Sequence, residues 1–76
     1  MVLVKNMEST LNINDIVVVK KEYQKKVSIL PGTRMFIAEL KEYGNIRTIW
    51  VDESIVPYSA IFYGDMLRKI GKINGA

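Results

Sequence analysis

The sequence predicts an all-β fold, a small barrel of four to five short antiparallel strands. Three observations support this fold class. Short runs rich in β-branched and aromatic residues recur along the chain, turn-forming residues separate them, and no segment shows the periodicity of a helix of usual length. Closing such a sheet into a barrel also removes the exposed edges that short strands would otherwise leave.

The first predicted strand covers residues 16–19, IVVV, and follows the turn former Asn14. Four consecutive β-branched residues disfavour a helix and suit a strand. Lysines end this strand, and a long loop then leads to Pro31 and Gly32, which together signal a turn.

The second predicted strand covers residues 33–41 and contains one irregularity. Met35 and Ile37 fall on one face of the strand, whereas Leu40 is one residue out of that alternation. Because side chains alternate strictly along a regular strand, this offset predicts a β-bulge near residues 38–39.

The third predicted strand, residues 46–51, has the most regular alternation in the chain, and it places Trp50 on the same face as Ile46. A tight-turn signal at residues 43–45 precedes it, with a glycine and an asparagine able to adopt positive φ. An acidic stretch at residues 52–54 ends it.

A fourth strand is predicted over residues 59–63, with Pro57 near its start, where a missing N–H is tolerated. Gly64 begins a sharp turn of about one helical turn, and residues 68–70 then complete the sheet. The sequence therefore divides into three predicted parts. They are an N-terminal segment, 1–11, that is flexible or partly paired, a barrel, 12–70, and a frayed tail, 71–76.

Composition excludes several kinds of chemistry. The 76 residues contain neither cysteine nor histidine, so disulfides, thiolate nucleophiles and the usual general base are absent from the sequence. Histidine is also the commonest metal ligand. We therefore expect a non-enzymatic protein with no catalytic residues, no cofactor and no metal site.

No apolar stretch approaches the about 18 residues that a membrane-spanning helix needs. The first thirteen residues also lack the basic start and long apolar run of a secretory signal. We therefore expect a cytoplasmic protein that does not act at a membrane.

Once the strands are placed, the segments NDIVVVKK, PGTRMFIAEL, IRTIWVDE and IFYGDMLRKI together resemble the short bacterial YodC-like proteins, a family of unknown function. The matching positions are Asp15, Gly32, Met35, Trp50, Asp52, Phe62 and Leu67. The resemblance covers residues 14 to about 70 and implies an SH3-like barrel, but it implies no activity. The sequence departs from the family in two places, because Asn14 stands where the family usually has Gly and the loop at 20–31 is longer.

The charge distribution supports a first functional hypothesis, a nucleic-acid-associated module. Residues 20–26 carry four lysines and one glutamate, and this +3 equals the net charge of the whole chain. Basic clusters that include an aromatic residue suit phosphate binding and base stacking. The candidate residues are Lys20, Lys21, Tyr23, Lys25, Lys26, Arg34, Arg68, Lys69 and Lys72. The alternative interpretation is a solvated loop whose lysines keep the protein soluble and protect sheet edges.

The second hypothesis is a protein–protein interaction module or a self-assembling module. Its candidate residues are two apolar pairs beside turns, Ile29 with Leu30 and Ile55 with Val56. Each pair either folds back over the barrel or is offered to a partner. Trp50 carries the same ambiguity between core residue and recognition aromatic. A third hypothesis, an enzyme whose active site forms only on oligomerisation, has no supporting motif.

Overall fold

The computed structural model describes residues 10–73 of the chain. Its strands are β1 (Asp15–Val19), β2 (Met35–Leu40), β3 (Asn45–Val51), β4 (Pro57–Tyr63) and β5 (Leu67–Lys72). Short 3-10 helices occupy three of the connections, at Lys21–Lys26, Glu42–Gly44 and Gly64–Met66. Residues 1–9 of the predicted N-terminal segment and residues 74–76 of the predicted tail lie outside the described residues.

All five strands belong to one antiparallel sheet in the order β4-β3-β2-β1-β5. The longest ladder joins β3 to β4 and runs without a register shift from Asn45 opposite Tyr63 to Val51 opposite Pro57. Strand β1 makes two residue pairs with β2 and five with β5. The chain therefore places its first strand beside its last, and β4 and β5 are the edge strands of the sheet.

One hydrophobic core collects side chains from every strand. Its buried members are Val17, Val19, Met35, Ile37, Ile46, Phe62 and Leu67. Phe62 belongs to one edge strand and Leu67 to the other, so the sheet curves around its own side chains until both edges reach the same core. The prediction of an all-β, SH3-like barrel of short antiparallel strands is confirmed.

Two β-bulges shape the sheet. Between β2 and β3 the register passes from Ile37 opposite Thr48 to Glu39 opposite Arg47, so Ala38 is the extra residue. This confirms the bulge that the offset of Leu40 predicted. A second shift occurs in β5, where the sequence analysis expected none. Bulges increase the local twist, which helps a short sheet to curve.

The turn before β1 is closed by a buried carboxylate. Asp15 Oδ2 accepts a 2.8 Å hydrogen bond from the backbone N–H of Asn12, and Asp15 Oδ1 lies 3.4 Å from Lys69 Nζ in β5. Asn14 follows within this turn with a φ of 76°, a left-handed conformation that glycine and asparagine adopt most readily. Asn14 can therefore serve at the position where the resembling family usually has Gly.

The short connection between β2 and β3 has two consecutive residues with positive φ, Tyr43 at 61° and Gly44 at 77°. The sequence predicted positive φ at Gly44 or Asn45, and Gly44 has it, whereas Asn45 has a φ of −79°. At the C-terminal end, β5 extends to Lys72, and the N–H of Ile73 donates to Asn14 O at 2.9 Å. Regular structure therefore continues beyond residue 70.

Candidate functional site

A groove of about 990 Å³ lies between the loop that precedes β2 and the turn that joins β3 to β4. We call it the aromatic groove and define it by Ile29, Leu30, Arg34, Trp50, Asp52 and Tyr58, with neighbouring residues of the same two segments completing its wall. The loop side is fixed by its own hydrogen bonds, since Thr33 Oγ1 and Thr33 N both bond to Leu30 O, at 2.7 and 3.2 Å. The groove is therefore formed by ordered backbone on both sides.

Trp50 and Tyr58 form the aromatic surface of the groove. They are cross-strand partners in β3 and β4, and their rings stack with centroids 5.7 Å apart and an interplanar angle of 20°. Trp50 is half-buried and also packs against the core cluster, whereas Tyr58 is exposed. The sequence left open whether Trp50 is a core residue or an exposed aromatic. The structure shows a side chain that does both, because it packs against the core and also lines the groove.

Asp52 organises the turn on one side of the groove. Its Oδ1 accepts hydrogen bonds from the backbone N–H groups of Ser54 at 2.9 Å and Val56 at 3.2 Å, and its Oδ2 accepts one from the Tyr58 hydroxyl at 2.9 Å. The Val56 N–H first, and then the Tyr58 hydroxyl, hold the pKa of Asp52 below its ordinary value. The carboxylate is therefore ionised at neutral pH and gives the groove a fixed negative charge.

The same turn holds Ile55 in a strained conformation. Ile55 has a φ of 61°, a region that β-branched residues adopt rarely and at a cost of about 1–2 kcal/mol. The hydrogen bonds that Asp52 accepts come from the residues on either side of Ile55, so they fix the backbone around it. The Ile55 side chain is 79% exposed as a result.

The two predicted apolar pairs occupy the two segments that border the aromatic groove. Leu30 is 77% exposed on the loop side, whereas Ile29 is half-buried and packs against the core. Ile55 and Val56 are both exposed in the opposite turn, next to the Asp52–Ser54 stretch that lines the groove. The structure thus places Ile29 and Leu30 in the wall of the groove, and Ile55 and Val56 in the turn whose first residues form the opposite wall.

The predicted nucleic-acid candidates separate into groups. Lys21, Lys25 and Lys26 are exposed on the first 3-10 helix, and none of them belongs to an ion pair among the residues that the structure describes. Tyr23, the predicted stacking residue, is half-buried and packs against the core cluster. The backbone N–H of Lys20, itself half-buried, donates to Met66 O at 2.8 Å, which places the start of this helix beside the start of β5.

The remaining basic candidates are distributed over the barrel. Arg68 is exposed near the start of β5, two residues after Met66, whose carbonyl accepts the Lys20 N–H at the start of the lysine-rich 3-10 helix. Lys69 is engaged by buried Asp15, and Lys72 lies opposite Asp15 in the β1–β5 ladder, several residues further along the strand. Arg34 lines the aromatic groove. The four candidates therefore do not gather at one place, and among those in β5 Arg68 is the nearest along the strand to the start of the lysine-rich helix.

The acidic residues of β2 have a local structural role. Glu39 Oε1 lies 3.0 Å from Arg47 Nε across the β2–β3 ladder and 3.7 Å from Lys41 Nζ. The hydrogen bond from Arg47, followed by the charge of Lys41, holds the pKa of Glu39 below its ordinary value. Within residues 10–73, no three acidic side chains gather into a group that could hold a metal ion.

Sequence reasoning did not identify Tyr58 as a partner of Trp50. The signal was present, because a turn over residues 52–56 places Trp50 and Tyr58 at equal distances from its centre and hence directly opposite each other. The position of Arg34 beside that pair was not accessible in the same way, since it depends on how the long first loop folds. In the described part of the chain, no helix is long and apolar enough to cross a membrane.

The positions that carry the YodC-like resemblance all have structural roles. Met35, Phe62 and Leu67 are buried in the core, and Gly32 has a φ of 79° in the turn before β2. Such residues suit many small barrels, so the resemblance remains a prediction from the sequence pattern. Comparison of the chain with family models, with curated proteins and with solved structures finds no match in any of the three.

Proposed function

We propose that this protein is a non-enzymatic binding module that receives an extended peptide segment of another protein in the aromatic groove. The observation that supports this proposal most is that exposed apolar side chains line the groove together with a stacked aromatic pair. Leu30 lines the groove and is 77% exposed, and Val51, next to Trp50, lines it and is 59% exposed. A monomeric protein seldom presents such a cluster without a partner for it.

The shape and chemistry of the groove suit an extended chain. Grooves lined by aromatic rings receive extended or polyproline-type segments, because these conformations present side chains without an internal hydrogen-bonding requirement. The stacked rings of Trp50 and Tyr58 offer a large apolar surface that loses little side-chain entropy on binding. Proline or aliphatic residues of the partner would pack across these rings.

The charges around the groove favour a basic residue in the peptide. Asp52 is ionised and its neighbour Glu53 is exposed, so the turn side of the groove is negative. Arg34 lines the other side and suits an acidic residue or the peptide's own carboxylate. The proposed ligand is therefore an extended segment with apolar residues in its centre and a lysine or arginine next to the turn.

A random decapeptide display library, selected against the full chain, tests this proposal. Trp50 is the only tryptophan in the sequence, so its fluorescence reports binding at the groove directly. We expect selected synthetic peptides to change that fluorescence saturably. Leu30→Ser should weaken their binding by about tenfold, which corresponds to about 1.4 kcal/mol of lost apolar contact.

Ile13→Ser is the matched control, because Ile13 is also exposed but lies in the turn before β1. It should leave binding unchanged. Selected peptides that bind wild type and Leu30→Ser equally well, with no response from Trp50, would contradict the proposal.

Nucleic-acid association is a second candidate function, which the exposure of Lys21, Lys25 and Lys26 favours. Three cations without an acidic partner in the described structure, with Arg68 nearby, can neutralise successive phosphates. Base stacking contributes less to this candidate, because Tyr23 packs against the core. Such binding would be electrostatic, sequence-independent and sensitive to salt.

A further inference from the structure

The two edge strands of the sheet differ in how they are protected. Strand β5, LRKIGK, carries three basic residues and contains the bulge at Ile70. Strand β4, PYSAIFY, has no charged residue and keeps an unbroken register with β3 over all seven of its residues. The only residue of β4 that discourages pairing with another strand is Pro57, at its first position.

This difference matters because an edge strand presents backbone N–H and C=O groups that can pair with another strand. Proteins commonly discourage such pairing with lysines, bulges or an internal proline. Strand β5 has two of these devices, whereas the part of β4 after Pro57 has none. At about 3.4 Å per residue, β4 offers a regular edge about 24 Å long.

The outer face next to this edge carries several exposed apolar side chains around Arg47, which lies opposite Ile61 and donates to Ser59 Oγ at 3.4 Å. Ile61 is 55% exposed and Tyr63 is exposed two residues further along β4. The neighbouring strand β3 exposes Ile49 and Val51 on the same face, as their pairing with Ser59 and Pro57 requires. A strand added at the β4 edge would therefore extend an existing apolar surface.

We propose that β4 pairs antiparallel with β4 of a second copy of this chain, about a two-fold axis at Ala60. In this arrangement Ser59 lies opposite the Ile61 position of the other copy, so a small side chain meets a large one, and Ala60 meets its own equivalent on the axis. No charges oppose each other, because β4 has none. The same pairing through β5 would bring its lysines and arginine close to one another.

The two-fold arrangement is the reason for proposing a second copy of this chain, and not another protein, as the partner of β4. An isologous contact uses the same patch twice, so both β4 edges are covered at once, and the edges that remain are the two β5 strands with their basic residues and bulge. The paired sheets would form one continuous sheet of ten strands. The proposal does not rest on the aromatic groove, so either proposal can fail without the other.

Charge substitutions at facing positions test the proposed register by light scattering on size-exclusion fractions of the full chain. We expect a dimer for the wild type in the micromolar range. Ser59→Glu with Ile61→Glu places like charges opposite each other twice and should give a monomer, whereas Ser59→Lys with Ile61→Glu places opposite charges there and should restore the dimer. Ile70→Glu on β5 is the matched control and should remain dimeric.

Cysteine cross-linking tests the axis itself and requires only a small substitution. The chain has no cysteine, so Ala60→Cys introduces a single thiol at the one position that meets its own copy. Mild oxidation should give a covalent dimer for Ala60→Cys and not for Ile70→Cys. A wild type that is monomeric at all concentrations, a dimer that tolerates both Glu substitutions, or equal cross-linking of the two cysteine variants would overturn the proposal. Pairing of β4 with residues 1–9 or with a foreign strand would leave the wild type monomeric.

Discussion

The hydroxyl of Tyr58 donates a 2.9 Å hydrogen bond to Asp52 Oδ2, and this bond joins the aromatic pair to the turn between β3 and β4. The bond shifts the pKa of both partners. It helps to lower the pKa of Asp52, and it is the main cause of the raised pKa of Tyr58. One hydrogen bond therefore links the charge of Asp52 and the stacked rings of the groove to the turn that carries the exposed Ile55.

Tyr58→Phe should raise the pKa of Asp52 towards its ordinary value. The substitution removes the donated hydrogen bond but keeps a ring to stack on Trp50, so the turn should keep its backbone bonds. Carboxyl-carbon NMR during an acid titration measures the change. Tyr43→Phe is the control, because Tyr43 lies in a different turn and is almost fully exposed. An unchanged titration of Asp52 in Tyr58→Phe would show that the bond does not form in solution.

Acid should destabilise the protein in a way that depends on Asp52. Because the folded pKa of Asp52 lies below its unfolded value, the unfolded state binds more protons in this range. The resulting stabilisation is complete above about pH 3.9 and is lost as pH falls through the folded pKa. Melting temperature measured against pH should therefore fall less steeply at acid pH in Asp52→Asn than in wild type. Parallel curves would contradict this expectation.

Ile55→Gly should stabilise the fold. Glycine adopts positive φ without the steric cost that a β-branched residue pays, so we expect a gain of about 1 kcal/mol after the entropy of glycine is counted. Chemical denaturation measures the difference. Ser54→Gly is the matched control in the same turn, because Ser54 is exposed but has no positive φ, and it should destabilise slightly. A loss of stability in both variants would mean that Ile55 is not strained.

Asp15→Ala should cost about 2 kcal/mol of folding stability. It removes a buried, charged acceptor of the Asn12 N–H, and hydrogen bonds to charged groups contribute more than neutral ones. Lys69→Met should cost about 1 kcal/mol, because the lysine is partly exposed and the Asp15 carboxylate that it leaves behind still accepts the Asn12 N–H. Equal losses in the two variants would show that the ion pair, and not the turn, is the stabilising feature.

Lys21, Lys25 and Lys26 substituted together by glutamine should reveal whether they contact phosphates. Each contact contributes about 0.7–0.9 to the slope of log affinity against log salt, so the triple variant should bind a mixed nucleic-acid pool more weakly and with a flatter slope. Its melting temperature should stay unchanged because these side chains are exposed. Absence of wild-type binding even at low salt would remove this candidate function.

Local patterns in the sequence predicted the strands, the turns and the first bulge, because these depend on the alternation of side chains and on turn-forming residues. The offset of Leu40 revealed the bulge at Ala38, since a buried strand face tolerates no unmarked shift of register. The 3-10 helix over Lys21–Lys26 was not predicted, because five of its six residues are polar or charged and the single aromatic, Tyr23, gives no periodic apolar signal. The positive φ of Ile55 was not predicted either, because a β-branched residue is normally evidence against that conformation.

The candidate site was less accessible than the fold. Its apolar residues could be identified singly as side chains beside turns, but their arrangement around one groove depends on the path of the long first loop. That path is set by tertiary contacts such as the packing of Tyr23, Val27 and Ile29 against the core. The uncharged edge of β4, in contrast, is readable in PYSAIFY as soon as the strand order is known.

The pairing of the first strand with the last separates the order of synthesis from the order of folding. Strands β2, β3 and β4 follow one another as neighbouring hairpins, so they can pair through contacts that are local in the sequence. Strand β1 emerges before all of them, yet it makes only two residue pairs with β2 and must wait for β5 to supply the other five. Such distant pairings slow folding. A released chain that ends before residue 67 would therefore keep the β2–β3–β4 meander and leave its valine-rich first strand largely unpaired.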